Sequence, residues 1–116
     1  MIAHLVLFRP KSTLSEDQRA AFVRALDTAL MDIPLIKRAH LGRRLVMGRQ
    51  YDAMNAQEFP FCAVLEFENR DSLLAYLEHP AHQELGTQFY VTSEAALAYD
   101  FEMLGPSQTG ELISGR

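Results

Sequence analysis

Residues 61–84 read FCAVLEFENRDSLLAYLEHPAHQE, and this stretch decides most of the fold. Its first seven residues, 61–67, form a continuous apolar run that predicts a strand. Asn69 can cap the helix that follows, on which apolar residues recur at helical spacing. Pro80 lacks an N–H and disfavours helix at the residue before it, so it predicts the end of one helix and the start of another. The stretch therefore predicts a strand followed by a pair of helices.

The rest of the chain completes a split βαβ order around this stretch. The other predicted elements are a strand at 2–8, a helix from a Ser15–Gln18 capping box to Pro34, a weaker strand at 36–45, a polar loop at 46–59 and a strand at 97–104. The order predicts an α+β fold of the ferredoxin-like type, βαββαβ, with a four-stranded antiparallel sheet and helices on one face. The handedness of connections places the first and third strands in the centre.

Length and composition indicate one domain. A chain of 116 residues has the usual size of a single domain, which we expect at 1–104. The segment 105–116 has little apolar character and is predicted to be a flexible C-terminal tail.

Charge and cysteine content argue against several classes of protein. The net charge is −4, whereas a nucleic-acid-binding domain normally has a basic face, so we expect no nucleic-acid partner. The single cysteine, Cys62, cannot form an internal disulfide. The apolar N-terminal run is short and lacks a basic leader, which argues against a signal peptide or a membrane span. We expect a soluble, cytoplasmic protein with no membrane partner.

The two predicted central strands, 2–8 and 61–67, carry apolar side chains on both faces. Helices can cover only one face of a four-stranded sheet, and soluble monomers rarely leave a large apolar patch in water. A second copy that packs sheet to sheet about a twofold axis is the simplest way to cover it. The sequence therefore predicts a homodimer.

The helix break at Pro80 places two histidines in different roles. His79 should end the first helix, and we interpret it as a residue that is hydrogen-bonded at the junction. His82 should lie in the first turn of the next helix, where the helix dipole disfavours imidazolium and favours a neutral ring able to act as a base. Two histidines alone are too few to complete the coordination shell of a zinc ion, so we expect no metal site.

His4 and Asp100 are polar residues at positions of the sheet that the pattern predicts to be buried. His4 alternates with Val6 and Phe8, and taken alone it is best interpreted as a hydrogen-bonded core histidine. Asp100 is predicted to point into the layer between sheet and helices, where a carboxylate needs a partner and a histidine is a natural one.

Residues 37–49 hold five of the eleven basic side chains. Charge of this kind protects an edge strand, and we favour that interpretation. A binding mouth for a carboxylate or for the phosphate of a thioester is the alternative. No glycine-rich phosphate loop or nucleophile-elbow motif is present.

Three segments together resemble the stress-responsive α/β-barrel (Dabb) family: MIAHLVLF at 1–8, LEFENRDSLLAYLEHPAHQE at 65–84 and YDFEML at 99–104. The most specific part is H-P-A-H after a helix that bears an aromatic residue. The resemblance covers about residues 1–104 and implies a dimeric barrel of two ferredoxin-like sheets.

The resemblance also implies an activity for some members, since the family includes a plant polyketide cyclase that performs an aldol closure without metal or organic cofactor. By residue matching, His82 would be the base and Tyr76 a hydrogen-bond donor, with Asp100 orienting His82 and His4 assisting; no cofactor is expected. The side chains expected to line an apolar pocket between the sheet and the first helix are Val6, Phe8, Phe22, Leu26 and Ala63.

Several functions remain open at the level of sequence. The chain could catalyse cofactor-independent proton abstraction of the cyclase or lyase type, or bind a small apolar carbonyl or carboxylate ligand without turnover. It could also be a non-catalytic stress-response or structural dimer, or resemble cofactor-independent monooxygenases. A cavity between the first helix and the sheet would favour a ligand-binding function, and a position of Tyr76 and His82 on its wall would favour catalysis.

Overall fold

A computed structural model describes residues 1–114 of the chain. Its elements are β1 Ile2–Pro10, α1 Glu16–Asp32, β2 Arg38–Arg43, α2 Gln50–Met54, β3 Phe61–Phe67, α3 Arg70–Glu78, α4 Pro80–Thr92, β4 Ser93–Glu102, a 3-10 turn Pro106–Gln108 and α5 Glu111–Ser114. No helix within this part of the chain combines the length and the apolar character needed to cross a bilayer.

The strands form one antiparallel sheet in the order β2-β3-β1-β4, which confirms the predicted ferredoxin-like α+β fold with β1 and β3 in the centre. Along β1, His4 is paired with Leu65 of β3 on one side and with Asp100 of β4 on the other. Paired residues of an antiparallel ladder point to the same face. The register therefore places His4 and Asp100 side by side.

The predicted helix caps are confirmed. The Ser15 hydroxyl accepts from the Gln18 N–H at 3.1 Å, and the Gln18 side chain accepts from the Ser15 N–H at 2.9 Å, as in a capping box. The Asn69 side chain accepts from the Ser72 N–H at 2.9 Å and fixes the start of α3.

The structure differs from the sequence prediction at the start of β4 and within the segment 46–59. β4 begins at Ser93 rather than at residue 97, because the chain leaves α4 directly into pairing with the end of β1. The segment predicted as a polar loop, 46–59, contains the short helix α2. Arg44 anchors this segment through ion pairs with Glu58 at 2.9 Å and Asp52 at 3.6 Å. Pairs of distant residues of this kind have no signature in local sequence pattern.

The C-terminal segment beyond β4 contains two short turns of helix with exposed side chains between 106 and 113. Residues 115–116 of the predicted tail lie outside the described residues. Flexibility of 105–116 stays a prediction.

The core lies between one face of the sheet and the helices, with Ala29, Ile33, Leu65 and Phe67 almost fully buried. The core residues of α1, α3 and α4 pack on that face, and residues 55–59, after α2, lie near Leu7, Cys62 and Leu97 of the other face. Its apolar side chains on β4 are 38–53% exposed, namely Leu97, Tyr99 and Phe101. We call this surface the open face; it carries the apolar side chains that the sequence predicted for it.

Candidate active site

The junction between α3 and α4 is built around His79. Its backbone N–H donates to the Tyr76 carbonyl at 3.1 Å and closes α3, while its Nδ1 accepts from the Ala81 N–H at 3.0 Å and caps α4. Pro80 occupies the first turn of α4, where its missing N–H costs no hydrogen bond. His79 is therefore a structural residue at the junction, as predicted.

The same junction orients His82. In a continuous helix the Ala81 N–H would donate to the Leu77 carbonyl, but here it donates to His79 Nδ1. The Leu77 carbonyl instead lies 3.1 Å from His82 Nδ1. A carbonyl can only accept, so Nδ1 carries the proton in the neutral ring and Nε2 holds a free lone pair. Nε2 has no hydrogen-bond partner within residues 1–114.

The electrostatics of His82 favour this neutral form. Partial burial of the ring lowers the pKa of His82 below its ordinary value of 6.5; the Leu77 hydrogen bond opposes that effect, and the charge of His4 adds to it. A neutral ring at physiological pH is what a general base requires.

Tyr76 lies against His82 and is almost fully buried. Its ring contacts the rings of His82 at 4.7 Å, Phe67 at 5.0 Å and His4 at 5.9 Å, measured between centroids. Burial raises the pKa of Tyr76 to about 12, so the hydroxyl keeps its proton and can donate a hydrogen bond.

The Tyr76 hydroxyl has no hydrogen-bond partner in the described part of the chain. It is not sealed from solvent either. The one fully enclosed side-chain polar atom without a partner there is Ser93 Oγ. An unpartnered donor on a ring that contacts the ring of His82 is available to a molecule that reaches it.

His4 and Asp100 form the second half of the cluster. His4 Nδ1 and Asp100 Oδ1 are 2.5 Å apart, as the cross-strand register requires. His4 is buried, whereas 46% of the Asp100 side chain is exposed because the edge strand β4 is incompletely covered. The expectation that this carboxylate is buried was wrong, and the expectation of a histidine partner is confirmed.

The structure changes the expected role of Asp100. The family resemblance implied that Asp100 holds His82, but the Leu77 carbonyl does so and Asp100 holds His4. The break at Pro80 is a signal for this arrangement, since a broken helix leaves its last carbonyls without partners. Which side chain takes such a carbonyl depends on the angle between the two helices.

An open cavity of about 680 Å³ lies between α1 and the sheet, and we call it the α1 cavity. Three of the five predicted pocket residues line it, namely Phe8, Phe22 and Leu26. The other two do not: Ala63 is buried in the core and Val6 packs against that core.

The α1 cavity does not include the acid–base residues. Tyr76 and His82 are absent from its wall, so the cavity supports ligand binding and does not itself support catalysis by these residues. Both Phe8 and His4 lie on β1 with their side chains towards the helices, but four residues apart, about 13 Å along a strand. An apolar cavity and an acid–base cluster thus occupy different parts of the same layer.

No group of three or more metal-ligating side chains occurs within residues 1–114.

Four polar residues contact one another in a row, in the order Asp100, His4, Tyr76 and His82. The row ends in an imidazole with a free nitrogen, whose ring contacts the ring of a phenol without a partner in the described residues. Such a pair can remove a proton and stabilise the resulting oxyanion.

The four-stranded sheet with helices on one face and this cluster in the layer between them define a ferredoxin-like α+β protein. Residues 2–103 match the family described as Stress responsive A/B Barrel Domain, and the chain belongs to this family. None of the curated proteins matches the chain.

Solved structures support the assignment of the fold. A dimeric ferredoxin-like protein of unknown function from Thermobifida fusca is 25% identical, with a TM-score of 0.67 over 88% of this chain and 90% of that one. An Arabidopsis thaliana protein is 20% identical, with a TM-score of 0.72 over 90% and 97%. Hydroxynitrile lyase from Passiflora edulis is 19% identical, with a TM-score of 0.71 over 90% and 96%.

Proposed function

We propose that this protein catalyses cofactor-independent proton abstraction from a small apolar carbonyl compound, with His82 as the base. The observation that carries the proposal is the fixed orientation of His82. Its Nδ1 is committed to the Leu77 carbonyl, its Nε2 is free, and its ring contacts the ring of Tyr76, whose hydroxyl has no partner in the described residues. A base with a defined tautomer and a lowered pKa meets the two requirements of general base catalysis at neutral pH.

The proposed step balances without an added reactant. The lone pair of His82 Nε2 takes a proton from the carbon next to the carbonyl, and the C–H electrons move into an enolate. The Tyr76 hydroxyl donates a hydrogen bond to the enolate oxygen. The enolate carbon then attacks a second carbonyl of the same molecule, and the resulting alkoxide takes the proton back from His82. His4, held by Asp100, keeps Tyr76 in place through its ring contact.

One comparison supports this class of chemistry, and a second supports a dimer. The relative from Passiflora edulis is named a hydroxynitrile lyase, and it shares this fold. The relative from Thermobifida fusca is described as dimeric, and a second copy of this chain would cover the open face. We therefore include a homodimer in the proposal.

Binding of a small apolar ligand without turnover is the second candidate function. The α1 cavity favours it, because its volume lies within the range of small-molecule sites and its wall is formed largely by aromatic and aliphatic side chains. Its distance from Tyr76 and His82 means that a ligand could occupy it without meeting the base.

Deuterium exchange at the central carbon of a β-diketone, followed by proton NMR in D2O, tests the catalytic proposal. We expect the protein to accelerate the exchange and His82→Gln to reduce the acceleration by about a hundredfold, the usual contribution of a general base. His40→Gln is the matched control, because His40 lies exposed on β2. Exchange that survives in a folded His82→Gln variant would remove His82 as the base.

A further inference from the structure

The charged side chains that line the α1 cavity are all cationic. Its lining includes the four cationic residues Arg9, Lys11, Arg19 and Arg43 and no Asp or Glu. The whole chain has 15 acidic and 11 basic side chains, so the charged lining of this cavity is opposite in sign to the protein as a whole. Four of the eleven basic side chains line it.

Three of these cations are not neutralised by the protein. Arg9 is paired with Glu94 at 2.9 Å, whereas Lys11, Arg19 and Arg43 have no ion pair within residues 1–114. They come from three different elements: the turn after β1, the first turns of α1 and the end of β2. Like charges brought together without counterions repel one another, and a bound anion would relieve the repulsion.

The floor beneath these cations is apolar. Phe8, Phe22 and Phe61 pack around one another at 5.6–5.8 Å between the ring centroids of Phe8 and its two neighbours, and Leu26 and Leu41 extend the surface. Leu41 is 56% exposed although it lies on the face of β2 that points towards the helices, so the apolar wall is not closed by the protein's own side chains.

We propose that the α1 cavity binds a small amphipathic anion, with an apolar tail on the aromatic floor and a single carboxylate or phosphate head among Lys11, Arg19 and Arg43. The inference rests on the ligand-binding function proposed above and is separate from the proton-abstraction proposal, since the cavity wall contains no member of the His82 cluster. It names the ligand by its chemistry: an apolar chain that ends in one anionic group.

Calorimetric titration of the 116-residue chain with ligands that share one apolar tail tests the proposal. We expect octanoate to bind about tenfold more tightly than octan-1-ol, since each exposed cation contributes a factor of about two to five. Octyltrimethylammonium should bind most weakly, and added NaCl should reduce the preference for octanoate. Octyl phosphate tests which anionic head group the cavity prefers. Tighter binding than that of octanoate would indicate a phosphate head, and weaker or equal binding would indicate a carboxylate head.

Charge variants locate the site. The double variant Lys11→Gln, Arg19→Gln should weaken octanoate binding by about fivefold and leave octan-1-ol unchanged. Arg24→Gln is the matched control, because it removes a cation from the same helix outside the cavity. Leu41→Glu should repel octanoate more than Leu41→Gln does.

Two results would overturn the inference. If octan-1-ol binds as tightly as octanoate, or if the double variant loses no more affinity for octanoate than Arg24→Gln, the cations do not select an anion, while ligand binding as such stands. If neither octanoate nor octan-1-ol binds, the ligand-binding function fails together with the inference, and the proton-abstraction proposal is still judged by the exchange experiment alone.

Discussion

A structural role and a catalytic role of the Tyr76 hydroxyl lead to opposite expectations for the variant Tyr76→Phe. Because the hydroxyl has no hydrogen-bond partner in residues 1–114, Tyr76→Phe should change the free energy of unfolding by no more than about 0.5 kcal/mol. The same variant should slow β-diketone exchange by about a hundredfold, the usual cost of removing one donor to an oxyanion. Chemical denaturation and the exchange assay measure the two effects.

Tyr51→Phe is the matched control, since Tyr51 is exposed on α2 and should change neither quantity. If Tyr76→Phe were to cost more than about 2 kcal/mol of stability, the hydroxyl would anchor a buried network, and its catalytic role would have to be abandoned.

At the scale of residues, the sequence predicted which side chains share one layer better than it predicted their contacts. Alternation along the strands and the H-P-A-H motif brought His4, Tyr76, His82 and Asp100 to one layer, and the structure places them in a continuous chain of contacts. Their pairing was partly wrong, because His82 bonds to the backbone. A backbone carbonyl is the same in every residue, so its availability follows from the helix break and not from residue type.

At the scale of elements, the α3–α4 junction depends on one side chain. His79→Ala should destabilise the protein by about 1 kcal/mol, because the Ala81 N–H loses its acceptor at the start of α4. His79→Asn should restore most of the loss, since asparagine is a good N-cap residue. Thermal or urea unfolding measures both variants.

The exposed His40 provides the reference for His79, and His40→Ala should be nearly neutral. Equal stability of His79→Ala and His79→Asn would show that capping does not hold the junction together.

Element boundaries were predictable where a local signal exists. The capping box at Ser15, the cap at Asn69 and the break at Pro80 fixed three helix ends. The start of β4 and the helix within 46–59 had no such signal. Pairing with β1 determines the first, and the ion pairs of Arg44 hold the segment that contains the second.

At the scale of the whole molecule, the open face predicts association. A row of exposed apolar side chains on β4 lies beside Leu5 and Leu7 of β1, and soluble monomers rarely leave a large apolar patch in water. We expect light scattering to give a mass of about 26 kDa, twice the 13.1 kDa of the chain.

Tyr99→Asp should shift the mass towards that of the monomer, because it places a carboxylate in the centre of the proposed interface. Tyr90→Asp makes the same change on the outer surface of α4, where Tyr90 is 86% exposed, and should leave the dimer intact. A wild-type mass near 13 kDa at micromolar concentration would contradict the dimer.

The fold as a whole could be predicted because its signals are redundant: the order of elements, the apolar faces and the caps all favour the same topology. The position of the cavity could not. Phe8, Phe22 and Leu26 were expected beside Tyr76 and His82, but the cavity opens at the other end of β1. Whether a layer is packed or hollow depends on small separations between elements, which residue patterns do not encode.

The pH dependence of β-diketone exchange tests the assignment of His82 most directly. Because burial lowers the pKa of His82 below 6.5, the base is neutral at higher pH, and the rate should be constant from about pH 7 upwards. Below the lowered pKa the ring is protonated, and the rate should fall about tenfold per pH unit. A rate that keeps rising through neutral pH towards pH 12 would contradict the account, because it would make the phenolate of Tyr76 the base.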